Sequence, residues 1–405
     1  MTKWMMKQGV LLFLACFASS VALAQSVVSE AEVPAPETPV VGYDHGFFIQ
    51  GSDQNFKLVI NGKLRPKYQF SHDPQRQADG GNLNANTFSI RNASIGFKVI
   101  TYKTLTLDFS FTHATNSKSF SGVNVGGVTL TYAPMPEFSV QAGMVGLPLD
   151  FGSGGVMTDG PITATQTDGT EKLTIARNSF GAPDGLGVSF SGDINKFFYT
   201  ANLVNRSEDN YNFNKNLEFS FGTQVGVNVL GDARGNASDF GFSEKPQLTL
   251  SAGALFEAGN TDDLGTPADP SDDATINHVV QASSGVTFKY MGFAWRTEGY
   301  LKTINVANPG AAVDLAGTKT DLGYYTTLAY FFVPKKLEGV LMGSQIIREG
   351  VANNSHELGA GLNWYIKGTN LYLQTSYYLK KAYDRLAGQS YQTSHVLETI
   401  LTAKF

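Results

Sequence analysis

The chain has little cysteine, little charge and no long hydrophobic run. It has 405 residues with one cysteine, Cys16, and charged residues make up 16% of it, against about 25% in soluble proteins. So low a charge argues against a solvated helical protein, and a single cysteine excludes a disulfide framework. Beyond the amino terminus, no apolar stretch approaches the roughly 18 uninterrupted residues of a membrane-spanning helix.

Basic residues are too few for a general nucleic-acid-binding protein, so no nucleic-acid partner is expected. The 30 Lys and Arg residues are outnumbered by 35 Asp and Glu residues, and the formal net charge is −5. Two hydrolase motifs, G-x-S-x-G and H-E-x-x-H, are missing from the sequence. We therefore assign no catalytic residue, no cofactor and no metal site. An enzyme whose Ser–His or Asp–His pair forms only on folding stays an alternative.

Residues 1–24 have the three parts of a secretory signal peptide. Two lysines give a positive start, residues 9–17 form a short apolar core, and the Ala-Leu-Ala at 22–24 is a cleavage signal. The apolar core is about half of the roughly 20 residues that the first alternative, a membrane anchor, needs. The second alternative is a lipoprotein site at the cysteine, and the residues before that cysteine fit such a site poorly.

The rest of the chain divides into a short lead-in and a long region of alternating residues. Residues 25–46 contain three prolines among alanine, valine and glutamate, and predict an extended, poorly ordered lead-in. Residues 47–405 alternate between apolar and polar positions, and a period of two predicts β-strands. The 43 glycines and the aromatic share of 12% suit many strands and turns. One alternating stretch has Leu105, Leu107, Phe109 and Phe111 separated by Thr106, Asp108 and Ser110.

The alternating region contains about sixteen segments of about 9–15 residues, which is long for strands of soluble proteins. The predicted strands are 56–70, 86–100, 104–114, 125–133, 137–147, 184–192, 195–206, 219–231, 247–257, 276–290, 291–303, 320–333, 337–348, 354–367, 370–380 and 392–405.

Tight turns and long polar connections alternate along these strands. Every second connection is tight, with 232–246 as the exception. Outer-membrane barrels have this pattern, because their two rims carry short turns and long loops and lipid cannot satisfy an open sheet edge. Aromatic runs at strand ends, such as Phe197-Phe198-Tyr199, suit the bilayer interfaces. The sequence thus predicts an all-β fold, a transmembrane antiparallel β-barrel of about 16 strands over 47–405. The alternative is a secreted β-sandwich or propeller.

Four phrases in the first half of the chain carry a family resemblance. Residues 56–64 read F-K-L-V-I-N-G-K-L and residues 88–97 read F-S-I-R-N-A-S-I-G-F. Residues 139–149 and 184–188 are similar to the strands that enter and leave a constriction loop. Together they resemble the outer-membrane porins, and distantly the phosphate-selective porin O and P family. The terminal Phe405 resembles the sorting signature of bacterial outer-membrane barrels.

The resemblance implies a porin-like channel of the bacterial outer membrane. Such a protein is exported through a cleaved signal peptide, forms a homotrimer and contacts outer-membrane lipids and lipopolysaccharide. Small hydrophilic solutes pass through it, and anions or phosphate are the expected preference. The family's second strand carries several arginines in a row, whereas only Arg91 is present here, with Asn92 and Ser94 in the other places. This departure bears on phosphate selectivity and leaves the barrel prediction intact.

Basic residues share one face of the first predicted strand. Arg or Lys facing lipid at the bilayer midplane costs roughly 2–4 kcal/mol, so these residues are predicted to line the lumen. The alternative is that they lie near a rim and snorkel to the headgroups. The same argument applies to the basic residues of the strand predicted at 291–303. The pore-lining candidates are Lys63, Arg65, Lys67, Arg91, Arg296 and Lys302.

The longest connection, 148–183, is predicted to fold into the barrel and narrow it. Loops of such length in compact folds are usually functional, and the resemblance implies an inward third loop. Its charges of both signs would set a transverse field across the pore. A solvated surface loop is the alternative. The constriction-loop candidates are Asp159, Asp168, Glu171, Lys172 and Arg177.

The aspartates of the connection 258–275 bear on ion selectivity. Their spacing is not that of a calcium-binding loop, so a solvated acidic loop is favoured over a site for divalent ions. Charges on such loops are screened beyond about 8 Å, whereas lumen charges act between low-dielectric walls. We therefore expect a diffusion channel with a modest anion preference. The alternatives are an outer-membrane barrel enzyme, of the protease or lipase type, and an adhesin or structural barrel.

Overall fold

The computed structural model describes most of the predicted barrel. The signal peptide predicted at 1–24 and most of the lead-in lie outside the described residues. These are 39–44, 46–73, 83–113, 124–149, 151, 175–180, 184–205, 219–235, 237–262, 274–308, 317–349, 354–382 and 392–405.

Eighteen β-strands join in one antiparallel sheet, and the described residues also contain one short helix, α1 (Ile175–Phe180). None of the described helical residues forms a segment long and apolar enough to cross a membrane. The strands are β1 (Val40–Tyr43), β2 (Phe47–Gln50), β3 (Phe56–His72), β4 (Asn84–Thr101), β5 (Leu105–His113), β6 (Asn124–Met135), β7 (Phe138–Gly146), β8 (Asp184–Ile194), β9 (Phe197–Asn205), β10 (Phe219–Leu230), β11 (Gln247–Asp262), β12 (Ala274–Tyr290), β13 (Phe293–Asn308), β14 (Gly317–Val333), β15 (Leu337–Arg348), β16 (Ser355–Lys367), β17 (Leu371–Ala382) and β18 (Gln392–Lys404).

Sixteen of these strands close into a barrel. Each strand from β3 to β18 pairs with the next, and β18 pairs with β3 between His395↔His72 and Lys404↔Lys63. The predicted antiparallel barrel of 16 strands is therefore confirmed. Most strand ends match the predicted ones to within a few residues, and several strands run further towards the long connections.

Side chains alternate between the lumen and the outer wall. In β14, Leu322 and Tyr324 are 47% and 48% exposed, whereas Tyr325 is 4% exposed. Most of the large outward residues are apolar and many of the inward ones are polar, which is the pattern of barrels whose outer wall faces hydrocarbon.

Tight turns join the strands at one end of the barrel, which we call the short-turn rim. In the turn Met291-Gly292 both φ angles are positive, at 48° and 81°, as a type I′ turn requires, and glycine adopts this region at little cost. The strand ends that precede the long connections meet at the opposite end, the long-loop rim. The tight turns are 102–104, 136–137, 195–196, 291–292, 334–336 and 368–370.

Two short strands that the sequence did not predict complete the seam between β18 and β3. The backbone N–H of Phe405 donates to the Gly62 carbonyl at 3.0 Å, and the Phe405 carbonyl accepts from the Gly62 N–H at 2.8 Å. Directly beyond this point β2 pairs with β3 at residues 57–60, and β1 pairs with β2. β2 therefore continues the wall where the last strand ends. Regular structure begins within the predicted lead-in, before the predicted boundary at residue 47.

The substitution Gly62→Ala should loosen the seam. A Cβ atom at Gly62 would lie 2.1 Å from the ring of Phe405, so the ring must move, and such overpacking costs roughly 1–3 kcal/mol. We expect the compact, heat-resistant band of the barrel in a detergent gel to disappear at a lower temperature. Gly127→Ala is the control, because a Cβ there meets only one atom, at 3.9 Å. Equal shifts in the two variants would contradict this prediction.

Candidate functional site

A cluster of basic side chains points into the barrel from β3 and β4. Arg65 is fully buried and Lys67 is 8% exposed, whereas the neighbouring Leu64 on the outer face is 44% exposed. The Nζ atom of Lys67 lies 3.5 Å from Oε2 of Glu398 on β18, and Arg91 donates from Nη1 to Oε1 of Glu398 at 3.1 Å. We call Arg65, Lys67, Arg91 and Glu398 the basic cluster, in which two of the three cations contact the carboxylate of Glu398.

A β-bulge directs Arg91 into the basic cluster. The register shifts between Arg65, which pairs with Asn92, and Pro66, which pairs with Ile90, so Arg91 is the extra residue on β4. Proline has no N–H to donate to the ladder, and such positions favour bulges. Arg91 and Asn92 are both 6% exposed. Two consecutive residues thus face inward where simple alternation would place one of them on the outer wall.

The chain enters the barrel directly after β7. Leu147 and Phe151 are fully buried, and Leu149 is 1% exposed. The backbone N–H of Phe151 donates to Oε1 of Glu298 on β13 at 3.1 Å, and the hydroxyl of Ser283 on β12 donates to the Leu149 carbonyl. The first residues of the predicted constriction loop are therefore fixed to the inner wall.

The helix α1 belongs to the same connection and also lies inside the barrel. Its first two described N–H groups are satisfied by the wall: Ile175 donates to Oε2 of Glu357 on β16 at 2.8 Å, and Ala176 donates to Oγ of Ser344 on β15 at 3.0 Å. These side chains supply the partners that the start of a helix lacks within itself. Together, residues 147–149, Phe151 and α1 form the inward segments. Leu147, Leu149 and three residues of α1 share one apolar core with the barrel wall.

Glycines on the inner wall leave room for the inward segments. A Cβ atom at Gly323 would lie 2.4 Å from the ring of Phe180, and one at Gly253 would lie 2.1 Å from the carbonyl oxygen of Leu149. Phe180 also stacks on Tyr300, with ring centroids 5.5 Å apart. A larger residue at either glycine would displace the segment that packs there.

The inward segments and the basic cluster occupy different parts of the inner wall. Described contacts of the inward segments run from Gly222 on β10, which Leu147 and Pro148 approach, to Glu357 on β16. The basic cluster lies on β18, β3 and β4. The described part of the predicted constriction loop therefore packs on strands other than those that carry the basic cluster, and on one side β17 alone separates the two sets of strands.

The two basic residues predicted on the inner wall of β13 support the inward segments. Arg296 is 2% exposed, lies 5.4 Å over the ring of Phe151, and donates from Nε to Oγ1 of Thr287 at 3.2 Å. Lys302 donates from Nζ to the Ser179 carbonyl of α1 at 3.4 Å. Both residues hold the inward segments, in contrast to the residues of the basic cluster.

Only one of the predicted constriction-loop residues lies within the described part of the chain. Arg177 lies on α1 and is 8% exposed. Among the described residues, no three His, Cys, Asp or Glu side chains come together to hold a metal ion. Outside the described residues lie Asp159, Asp168, Glu171 and Lys172.

Sequence reasoning did not identify the acidic residues that fasten the interior. Alternation predicts that Glu298, Glu357 and Glu398 point inward, but it cannot predict their partners. Those partners are 147, 182 and 307 residues away along the chain. An inward acidic residue on a barrel strand is the only sequence signal that could have drawn attention to these positions.

Comparison with known proteins supports the fold and leaves the family open. Neither a protein-family model nor a curated protein matches the sequence. OmpF of Salmonella typhi in complex with daunomycin matches with a TM-score of 0.59 and 12% identity, over 90% of this chain and 100% of that chain. An anion-selective porin from Comamonas acidovorans matches with a TM-score of 0.56 and 10% identity, over 86% and 100%.

An outer membrane protein of Vibrio cholerae, OmpT in a trimer form, is also similar. The TM-score is 0.55 at 13% identity, over 86% of this chain and 99% of that chain. At such low identities these likenesses show a common porin-like fold. They do not single out the phosphate-selective porin O and P family.

Placing a side chain at Gly323, where α1 packs, should destabilise the protein. A second substitution that removes the clashing ring should restore part of the stability. In Gly323→Ala the new Cβ meets the Phe180 ring, and overpacking costs roughly 1–3 kcal/mol. We expect a lower melting temperature in detergent by circular dichroism. Adding Phe180→Ala should make the double variant more stable than the sum of the two single effects predicts. If the two substitutions change the melting temperature additively, the close packing of Phe180 against Gly323 is contradicted.

A matched glycine on the neighbouring strand serves as the control for this pair. Gly343 lies on β15, and a Cβ atom there would make an ordinary contact of 3.6 Å with Leu358. Gly343→Ala should therefore melt close to the parent, and its effect should simply add to that of Phe180→Ala.

Proposed function

We propose that this protein is a diffusion channel of the bacterial outer membrane for small hydrophilic solutes. The channel has a modest preference for anions and no enzymatic activity. The observation that carries the proposal is the basic cluster, which lies on the inner wall of a closed barrel of sixteen strands that also holds the inward segments. A wall that is apolar outside and polar inside suits a water-filled passage through lipid.

The preference for anions follows from the charge balance of the basic cluster. Among the contacts of the described residues, Glu398 is the carboxylate that meets this cluster, in which Arg65, Lys67 and Arg91 carry three positive charges. Fixed charges beside a narrow water path with low-dielectric walls act more strongly than charges on solvated loops. The similar porin from Comamonas acidovorans, which is described as anion-selective, supports this sign. The strand that resembles the family's second strand has a single arginine, Arg91. One arginine there agrees better with a general anion preference than with a specific phosphate site.

Replacing Lys63, Arg65 and Lys67 with Gln should move the ion selectivity towards cations. Two unit charges about 4 Å apart interact by about 1 kcal/mol in bulk water and by about 4 kcal/mol near a protein surface. A free-energy difference of about 1.4 kcal/mol changes an equilibrium constant about tenfold. We expect the anion-to-cation permeability ratio to fall about fivefold or more. Planar-bilayer reversal potentials in a salt gradient measure this ratio. A triple variant with the selectivity of the parent would show that these residues do not line the narrow part of the path.

Two further variants separate a local effect from a change of total charge. Lys103, Lys335 and Lys336 are exposed residues of tight turns, and their replacement by Gln removes the same charge far from the basic cluster. That variant should keep the reversal potential of the parent. Glu398→Gln removes the carboxylate that Lys67 and Arg91 contact and should shift selectivity towards anions. A parent protein that forms no channel in the bilayer would contradict the proposal as a whole.

The channel is further proposed to be a homotrimer, exported by the segment 1–24 and surrounded by outer-membrane lipids and lipopolysaccharide. The trimer form of the similar Vibrio cholerae protein supports this assembly, and a closed cyclic arrangement buries apolar outer wall without leaving an open edge. Crosslinking in native membranes should yield a trimer band. A ladder that stops at the monomer under conditions that crosslink a control porin would contradict it.

A further inference from the structure

One connection at the short-turn rim is much longer than the turns around it. It covers 231–246 between β10 and β11, all described except residue 236, whereas the tight turns named above have two or three residues. Ala233 is fully buried, and Ser238 and Asp239 are 1% and 2% exposed. A connection at a rim that is buried to this degree must fold into the end of the barrel. We call 231–246 the inner turn.

The backbone of the inner turn is fastened to side chains on three successive strands. The N–H of Ala233 donates to Oγ1 of Thr249 on β11 at 3.0 Å. The carbonyl of residue 234 accepts a hydrogen bond from Nζ of Lys289 on β12 at 3.2 Å, and that of residue 235 accepts one from Nη2 of Arg296 on β13 at 3.5 Å. Arg296 therefore contacts both the inner turn and, through Phe151, the inward segments.

A buried carboxylate holds the inner turn in its folded form. Oδ2 of Asp239 accepts the N–H of Ser243 at 2.9 Å and the N–H of Gly292, in the next tight turn, at 2.8 Å. Oδ1 accepts the Ser243 hydroxyl at 2.6 Å. Hydrogen bonds to a carboxylate are among the strong ones, and they act here away from water. Asp239 thus joins the inner turn to the adjacent hairpin.

Aromatic rings join the inner turn to the wall at β14 and β16. Phe240 packs against Phe331 on β14 and Tyr365 on β16, with ring centroids 5.9 and 5.1 Å apart. Phe242 lies so close to Gly292 that a Cβ there would be 2.4 Å from its ring. The inner turn therefore reaches strands that are far from its own hairpin.

Contacts of Arg234 with two aspartates and an aromatic ring fasten the other side of the inner turn, and we call these contacts the clasp. Arg234 donates from Nη1 to Oδ1 of Asp193 at 2.6 Å and from Nη2 to Oδ2 of Asp232 at 2.7 Å, and its guanidinium lies 4.5 Å over the ring of Phe198. Partial burial alone would raise the pKa of Asp232, but hydrogen bonds and charge from Arg234 lower it. The clasp therefore contributes its full stabilisation at pH values above the pKa of an ordinary aspartate. This stabilisation is lost as the pH falls through the lowered pKa of Asp232.

We propose that the inner turn is a second, docked constriction of the channel at its short-turn mouth, in series with the inward segments. Its contacts reach from Asp193 on β8 to Tyr365 on β16, the same side of the ring that the inward segments cover. A solute that passes the basic cluster must then also pass the inner turn. This inference rests on the proposed channel function and adds a second size filter to it.

Shortening the inner turn tests the second constriction. In one variant, residues 232–246 are replaced by Asn-Gly, which forms a tight hairpin turn. Removing one of two constrictions in series lowers the total resistance, so the single-channel conductance in planar bilayers should rise, by roughly twofold where the two resistances are equal. Polyethylene glycols that are too large to enter the parent channel from the short-turn side should then reduce its current. A shortened variant with the conductance and size limit of the parent would overturn the inference.

A full-length variant covers the case in which the shortened barrel does not fold. The pair Asp239→Ala and Phe240→Ala removes the buried carboxylate and the ring that packs on Phe331 and Tyr365, and it should also raise the conductance. Asp53→Ala is the control, because Asp53 also accepts a backbone N–H in a short-rim connection, from Asn55 at 2.9 Å, but is exposed. Parent-like conductance in a folded Asp239/Phe240 variant would overturn the inference, whereas a parent that conducts no ions would contradict the proposed function itself.

Discussion

The structure depends on the closure of backbone hydrogen bonding around the barrel. An N–H or C=O group without a partner in hydrocarbon costs several kcal/mol, so an open sheet edge cannot persist in lipid. The first barrel strand must therefore pair with the last, as β3 does with β18. Antiparallel neighbours and two chain ends at one rim then require an even number of strands. Closure also decides, for every residue, whether its side chain meets lipid or the interior.

A ring of this width encloses more space than the wall side chains fill, and the chain itself occupies part of it. The inward segments enter from the long-loop rim and the inner turn from the short-turn rim, and both pack on the same side. Glycines make room for them, and carboxylates such as Glu298 and Glu357 accept their N–H groups. The basic cluster lies on strands that these described segments do not contact. The lumen is thus asymmetric because backbone covers one part of the wall and charged side chains line another.

The sequence predicts the wall much better than the interior. Strand number, strand ends and the inward direction of Arg65 and Lys67 follow from a period of two, because each side chain must choose between lipid and water. That period cannot predict the bulge at Pro66, which turns Arg91 inward beside Asn92. It also says nothing of α1 or the inner turn, whose contacts join distant parts of the chain. The inner turn was visible only as an exception among the tight turns.

The seam also constrains the order in which the barrel can assemble. Every other barrel pairing joins strands that follow each other in the chain, whereas Lys63 pairs with Lys404. Closing a longer loop costs more entropy, and contacts between distant residues form late and slowly. Neighbouring hairpins, including β2 with β3, can form before the ends of the chain meet. Because β2 occupies residues 57–60 of that edge, β18 cannot extend along β3 beyond Phe405, and a slip in its register towards the short-turn rim is blocked.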